Sequence, residues 1–187
     1  MNIGFAMCGS FCTYRQVFPV LETLSSANTV IPIFSRAAYQ TDSRFGTAAE
    51  HIRRAEETCG TRVLHTIEEV EPIGPKKLLD ILVIAPCTGN TLAKLAHSIA
   101  DGPVTMAAKS HLRNGRPVLI AVSTNDALGG AAENIGRLLG RKHFYFVPFG
   151  QDDPKGKPTS MVADFSKIPY ALDAATEGRQ IQPILLR

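Results

Sequence analysis

The chain has 187 residues, 44% hydrophobic and 20% charged, with 15 Gly and 12 Pro. That is enough length for one large core without staples, and the composition is that of an ordinary α/β domain. The net charge of +3 is small and diffuse: residues 101–187 hold eleven Lys/Arg against eight Asp/Glu, and residues 1–100 hold nine of each. It therefore argues against a nucleic-acid-binding surface.

From the amino end, Asn2 to Met7 reads as a strand, followed by a loop with Gly9 and Ser10 and then a helix carrying Val17, Val20, Leu21 and Leu24 at helical spacing. Thr29 to Phe34 is a second strand, with Pro32 pointing to an edge or a bulge. Ser35, Arg36 and a polar loop with Asp42, Arg44 and Gly46 lead into a helix from about Thr47 to Thr58. Arg62 to Leu64 has the look of a third strand, and Pro72 to Pro75 breaks any regular structure after it. Leu79 to Ala85 is continuous and apolar, as a strand covered on both faces should be.

Helices are expected from about Thr91 to Ala100 and from Gly102-Pro103 to about Arg113, then a strand from Pro117 to Val122 and a helix from Asp126 to Leu139. His143 to Val147 is the last expected strand, 149–160 a polar loop, and Met161 to Glu177 a helix that Pro169 should kink or split. The tail, Gln180 to Arg187, carries apolar Ile181, Ile184 and Leu185 and is expected to pack on this subunit or a neighbour. Strands alternating with helices predict a single-domain, Rossmann- or flavodoxin-like three-layer sandwich with a mostly parallel sheet. Right-handed crossovers would then bring the strand-to-helix loops to one edge.

Several readings are excluded. The four cysteines, Cys8, Cys12, Cys59 and Cys87, form no CxxC pair, and nothing resembles a secretory signal, which is the pattern of reduced thiols in a cytoplasmic protein. The five histidines lack metal-ligand spacing, so no metal site is expected. No apolar run reaches the roughly 18 residues of a membrane span. There is no GxGxxG after the first strand, and GQDDPKGK, 150–157, has one residue too many for a Walker loop.

What remains is a set of small, polar loops: Cys8-Gly9-Ser10, Ser35-Arg36 and Pro86-Cys87-Thr88-Gly89-Asn90-Thr91. Small residues admit a ligand to the backbone, and amides at a helix start favour an anion such as phosphate. Ser10, Ser35 and Asn90 are equally residues that cap helices.

The run IAPCTGNTLAKLAHSIAD, Ile84 to Asp101, resembles the flavin-binding motif of the flavoprotein family that includes cysteine decarboxylases and flavin prenyltransferases: Pro86, Thr88 in place of Ser, Asn90, Thr91, Lys94 and Asp101 fall on its pattern. The resemblance implies FMN as cofactor, with Gly9, Ser10, Ser35, Cys87, Thr88, Asn90 and Thr91 as its binding residues. It also implies a homo-oligomer, a trimer or dodecamer. Decarboxylases of this family carry a histidine about eight residues before the aspartate that opens the central strand; here that aspartate is Asp80 and the position is Pro72, which argues against simple cysteine decarboxylation. His65 matches only through an insertion.

STND, LGG and AENIGRLL within Ser123 to Leu139, the segment Tyr145 to Asp164, and TDSRFG, Thr41 to Gly46, resemble the B-subunit family of bacterial dipicolinate synthases. That resemblance implies a sporulation protein working with the nucleotide-binding A subunit of dipicolinate synthase, which carries NAD(P), to oxidise dihydrodipicolinate. The substrate is a small dicarboxylate, for which Arg44, Lys155 and Lys157 are candidate binding residues. Asp126 and Asp152 are candidate bases. Two further readings stay open: a non-catalytic flavodoxin-like scaffold, and a prenyltransferase or decarboxylase type of flavoprotein.

Overall fold

A computed structural model describes residues 1–186. Arg187, the end of the expected tail, lies outside the described residues.

The elements run β1 (Asn2–Met7), α1 (Tyr14–Ala27), β2 (Thr29–Phe34), α2 (Arg36–Gln40), α3 (Ala48–Cys59) and α4 (Ile67–Val70), then β3 (Ile81–Cys87), α5 (Gly89–Ala96), α6 (Pro103–Leu112) and β4 (Val118–Thr124). The chain continues with α7 (Ala132–Leu139), β5 (Phe144–Phe146), β6 (Phe149–Gly150), β7 (Met161–Ala163) and α8 (Ile168–Thr176). Strands β1 to β5 are parallel, in the order β2-β1-β3-β4-β5. Helices α1 and α8 cover one face and α5, α6 and α7 the other. Every residue of β3 is buried, which is why its sequence shows no polar alternation.

Four expectations are corrected. Arg62 to Leu64 is no strand but a single bridge, Leu64 to Ile33. Pro32 tolerates its place for the same reason: its carbonyl faces outward to the Leu64 amide, so its missing N–H falls on the sheet edge. The helix expected from Asp126 begins only at Ala132, because Gly129 and Gly130 sit in turns that precede it. The start of the expected last helix is instead strand β7, which pairs antiparallel with β6 and with the end of β4, Ser123 opposite Val162. Pro169 does not kink α8; it stands in its first turn, where a missing N–H costs nothing. Lastly, the apolar tail does pack on its own subunit, through a bridge between Leu185 and Phe149.

From β1 the chain passes to β2 on one side, then crosses back to β3 on the other. The order reverses between β1 and β3, and a crevice opens there beyond the carboxyl ends of the strands, the usual place for a ligand in an open α/β sheet.

Candidate functional site

Two chambers lie side by side at that reversal. The first, about 610 Å³, is bounded by Gly9, Ser35, Arg36, Thr88, Asn90 and Thr91, and by Lys94 and Asp101 on its far wall. The second, about 680 Å³, has Ser10, Arg15, Arg44, Asp152 and Lys157 around it. Gly9 and Thr88 belong to both walls.

The loops are held by one another. Thr88 caps α5, its hydroxyl accepting from the Thr91 amide at 3.3 Å, and the two hydroxyls lie 3.0 Å apart. Thr91 Oγ1 in turn donates to Cys8 Sγ at 3.3 Å, tying the loop after β3 to the loop after β1. Ser10 Oγ donates to the Ser123 carbonyl at 2.7 Å, which joins the same loop to the end of β4. Ser35 caps α2 and sends its own amide to the Met7 carbonyl. Four strand ends thus form one hydrogen-bonded rim.

Two glycines of the rim stand where a side chain would be crowded. A Cβ on Gly9 would stand 3.3 Å from the Ala37 Cβ, and one on Gly89 would stand 2.8 Å from Thr124 Oγ1. Gly46 is required by backbone: its φ is +128°, and it closes a turn in which Ser43 and Gly46 exchange backbone hydrogen bonds. That turn presents Arg44, whose guanidinium lies 4.8 Å from the Phe45 ring centre.

Charges on the two walls differ. In the first chamber Lys94 pairs with Asp101 at 2.9 Å, and the hydrogen bond from Lys94 holds the Asp101 carboxyl below its usual range. In the second, Lys157 stands 3.4 Å from Asp152. Cys87 is fully buried behind the rim and lines neither chamber; burial raises its thiol well above the ordinary value, and burial pushes Cys8 up to about 11. Neither sulfur is a thiolate nucleophile at neutral pH.

The structure therefore brings Gly9, Ser35, Thr88, Asn90 and Thr91 together in one chamber, and Ser10, Arg44 and Lys157 in the other. Cys87 and Lys155 fall outside both. Of the candidate bases, Asp152 lines the second chamber, whereas Asp126 accepts a hydrogen bond from Thr124 at 2.7 Å and lines neither. His65 comes nearer than its sequence position suggested: it stacks on Tyr39, ring centres 3.7 Å apart, in a cavity of about 340 Å³ that shares Arg36 and Asp101 with the first chamber. Arg15 was missed because it belongs to a helix read only for its buried face; its place in the first turn after a site loop was the available signal.

Among the described residues no cluster of His, Cys, Asp or Glu could hold a metal ion, and no helix is long and apolar enough to cross a membrane.

A parallel sheet ordered 2-1-3-4-5 with a small-residue, hydroxyl-lined cradle at its reversal defines a flavodoxin-like ligand-binding protein. Residues 1–135 match the family model described as Flavoprotein, and the chain belongs to that family. It is 45% identical over 186 residues to the B subunit of dipicolinate synthase from Bacillus subtilis (strain 168), across 99% of this chain and 93% of that one. The crystal structure of the dipicolinate synthase B subunit from Bacillus halodurans C superposes with a TM-score of 0.91 at 43% identity, over 100% of this chain and 96% of the other. The FMN-dependent cysteine decarboxylase SpaF superposes with a TM-score of 0.68 at 25% identity, over 94% and 97%.

Proposed function

We propose that this chain is the B subunit of a dipicolinate synthase, acting in the cytoplasm of a sporulating cell with a separate A subunit that binds NAD(P). Together they oxidise dihydrodipicolinate to dipicolinate. The observation that carries the reading is the pair of chambers sharing Gly9 and Thr88, one lined by hydroxyls and an amide and the other by cations.

The first chamber fits FMN. Gly9 leaves open a cradle that a Cβ would crowd, and Asn90 is exposed with its amide committed to no bond among the described residues. Ser35, Thr88, Asn90 and Thr91 would hold the group, with Arg36 supplying positive charge for a phosphate. Bound FMN supplies a two-electron acceptor.

The second chamber is the dicarboxylate site. Aromatisation removes two electrons and two protons from the dihydropyridine ring, as a hydride and a proton, with NAD(P) on the A subunit as the final hydride acceptor. The contribution of this chain is to hold the dianion in place through Arg44, on a wall where Lys157 pairs with Asp152. At the Pro72 position, where a decarboxylase would carry its histidine, this chain has no imidazole.

The visible absorption spectrum of the purified chain, with and without added FMN, tests the cofactor. Stoichiometric flavin bands that survive desalting are expected. A chain that retains none, and that still supports full activity of the flavin-free A subunit, overturns the flavin part and leaves a scaffold with a dicarboxylate pocket.

A further inference from the structure

Arg15 stands in the first turn of α1, exposed to solvent and on the wall of the second chamber. Most arginines of the chain have an acceptor, as Arg53 has in Glu57 and Arg137 in Glu133, or as Arg141 has in the Leu95 and Ala96 carbonyls. Among the described residues Arg15, Arg36, Arg44 and Arg113 have neither a carboxylate nor a carbonyl partner, and the first three line the two chambers. Uncompensated guanidinium groups are thus gathered where the sheet order reverses.

The charge of the second chamber is specific in number as well as sign. Lys157 already shares its charge with Asp152, which leaves Arg15 and Arg44 as the uncompensated pair. Two positive charges on one cavity wall repel each other until an anion arrives, and a dicarboxylate brings one negative charge for each. Arg44 is held for that task, because the Phe45 amide donates to Ser43 Oγ and Asp42 fixes the next helix by accepting from the Ala48 amide at 2.8 Å. Arg15 is carried by a helix whose opposite face is buried through Tyr14, Val17 and Phe18. Phe11 and Phe45 line the same chamber and add apolar surface to it.

We infer that Arg15 is the second carboxylate-binding group of this chamber: Arg15 and Arg44 each take one carboxylate of a planar dianion, with Lys157 and Asp152 forming a neutral part of the wall. The inference rests on the dicarboxylate reading proposed above and goes beyond it by assigning a residue and a count.

Calorimetric titration of the full chain with dipicolinate, and with picolinate as the probe lacking one carboxylate, tests it in wild type, Arg15→Ala, Arg15→Lys and Arg44→Ala. Arg53→Ala, on the exposed face of α3, serves as a control. Wild type should prefer dipicolinate by about tenfold, the order expected of one charge-assisted pair. Arg15→Ala should lose about tenfold for dipicolinate and under twofold for picolinate, Arg15→Lys should recover part of the loss, and Arg53→Ala should match wild type. If Arg44→Ala weakens binding while Arg15→Ala leaves the preference intact, the assignment of Arg15 is wrong and the dicarboxylate chamber stands. A wild-type chain that binds neither acid, in a preparation that takes up FMN, overturns the dicarboxylate chamber and the assignment together.

Discussion

Thr88 is where the local chemistry of the rim is most concentrated. Its hydroxyl caps α5 and meets the Thr91 hydroxyl while the residue lines both chambers, so it does structural work whatever is bound. Thr88→Ser keeps the hydroxyl and should keep both the fold and FMN uptake, whereas Thr88→Val removes the cap and should lower the thermal midpoint, by about 1 kcal/mol of stability. Asn90 differs, being exposed and bonded to nothing among the described residues. Asn90→Ala should leave the melting curve unchanged and weaken FMN binding by about tenfold in a fluorescence titration, as loss of one polar contact would. Arg44→Ala should raise KM for dihydrodipicolinate in the assembled enzyme; an unchanged KM removes Arg44 from the substrate site.

Among the elements, α6 is constrained at both ends. Its first turn, Pro103 to Thr105, walls the first chamber, and near its other end Ser110 packs against Gly74 so closely that an added Cβ would stand 2.6 Å from the Ser110 carbonyl oxygen. Asn114 locks the same spot by donating to the Gly74 carbonyl at 2.8 Å. Gly74→Ala should therefore cost about 1–3 kcal/mol, read as a thermal midpoint lowered by several degrees. The sequence announced Gly74 only as part of a break after Pro72, because what crowds it lies 36 residues away along the chain. The same limit explains the other differences. Continuous apolar runs made β1, β3 and β4 legible, and loops of small residues marked the first chamber. Strand β7 was not legible, since three residues beside a polar loop become a strand only when β4 outruns β5 and needs another partner. The need for cations opposite a dicarboxylate pointed to Arg44 and Lys157; Lys155, two residues from Lys157, misses the chamber because loop direction is not written in spacing.

For the molecule as a whole, acid sensitivity is built into two buried imidazoles. His111 is fully buried, with Nε2 3.0 Å from the Pro117 carbonyl and Nδ1 unpartnered, and burial brings its pKa down to about 4, with Arg116 adding to the depression. Burial likewise lowers His51, which packs against Tyr14 and Phe18. In both cases the unfolded chain binds the proton more readily than the folded one. The contribution of each is thus complete above the unfolded value near 6.5 and falls away below it, for His111 until the pH nears 4. Between pH 7 and 5 His111 alone should cost about 2 kcal/mol, visible as a falling urea midpoint. His111→Gln should flatten that slope; a slope unchanged by the substitution would assign the acid sensitivity elsewhere.

The shared wall of the two chambers carries one more consequence. Gly9 and Thr88 belong to both walls, so molecules on the two sides would meet across a glycine and a threonine. If FMN fills one side and dipicolinate the other, any effect of one occupant on the binding of the other is returned in equal measure by thermodynamic reciprocity. Whatever factor FMN applies to the dissociation constant of dipicolinate, dipicolinate must apply to that of FMN. The oxidised product would therefore set, by mass action, how firmly the protein keeps its flavin.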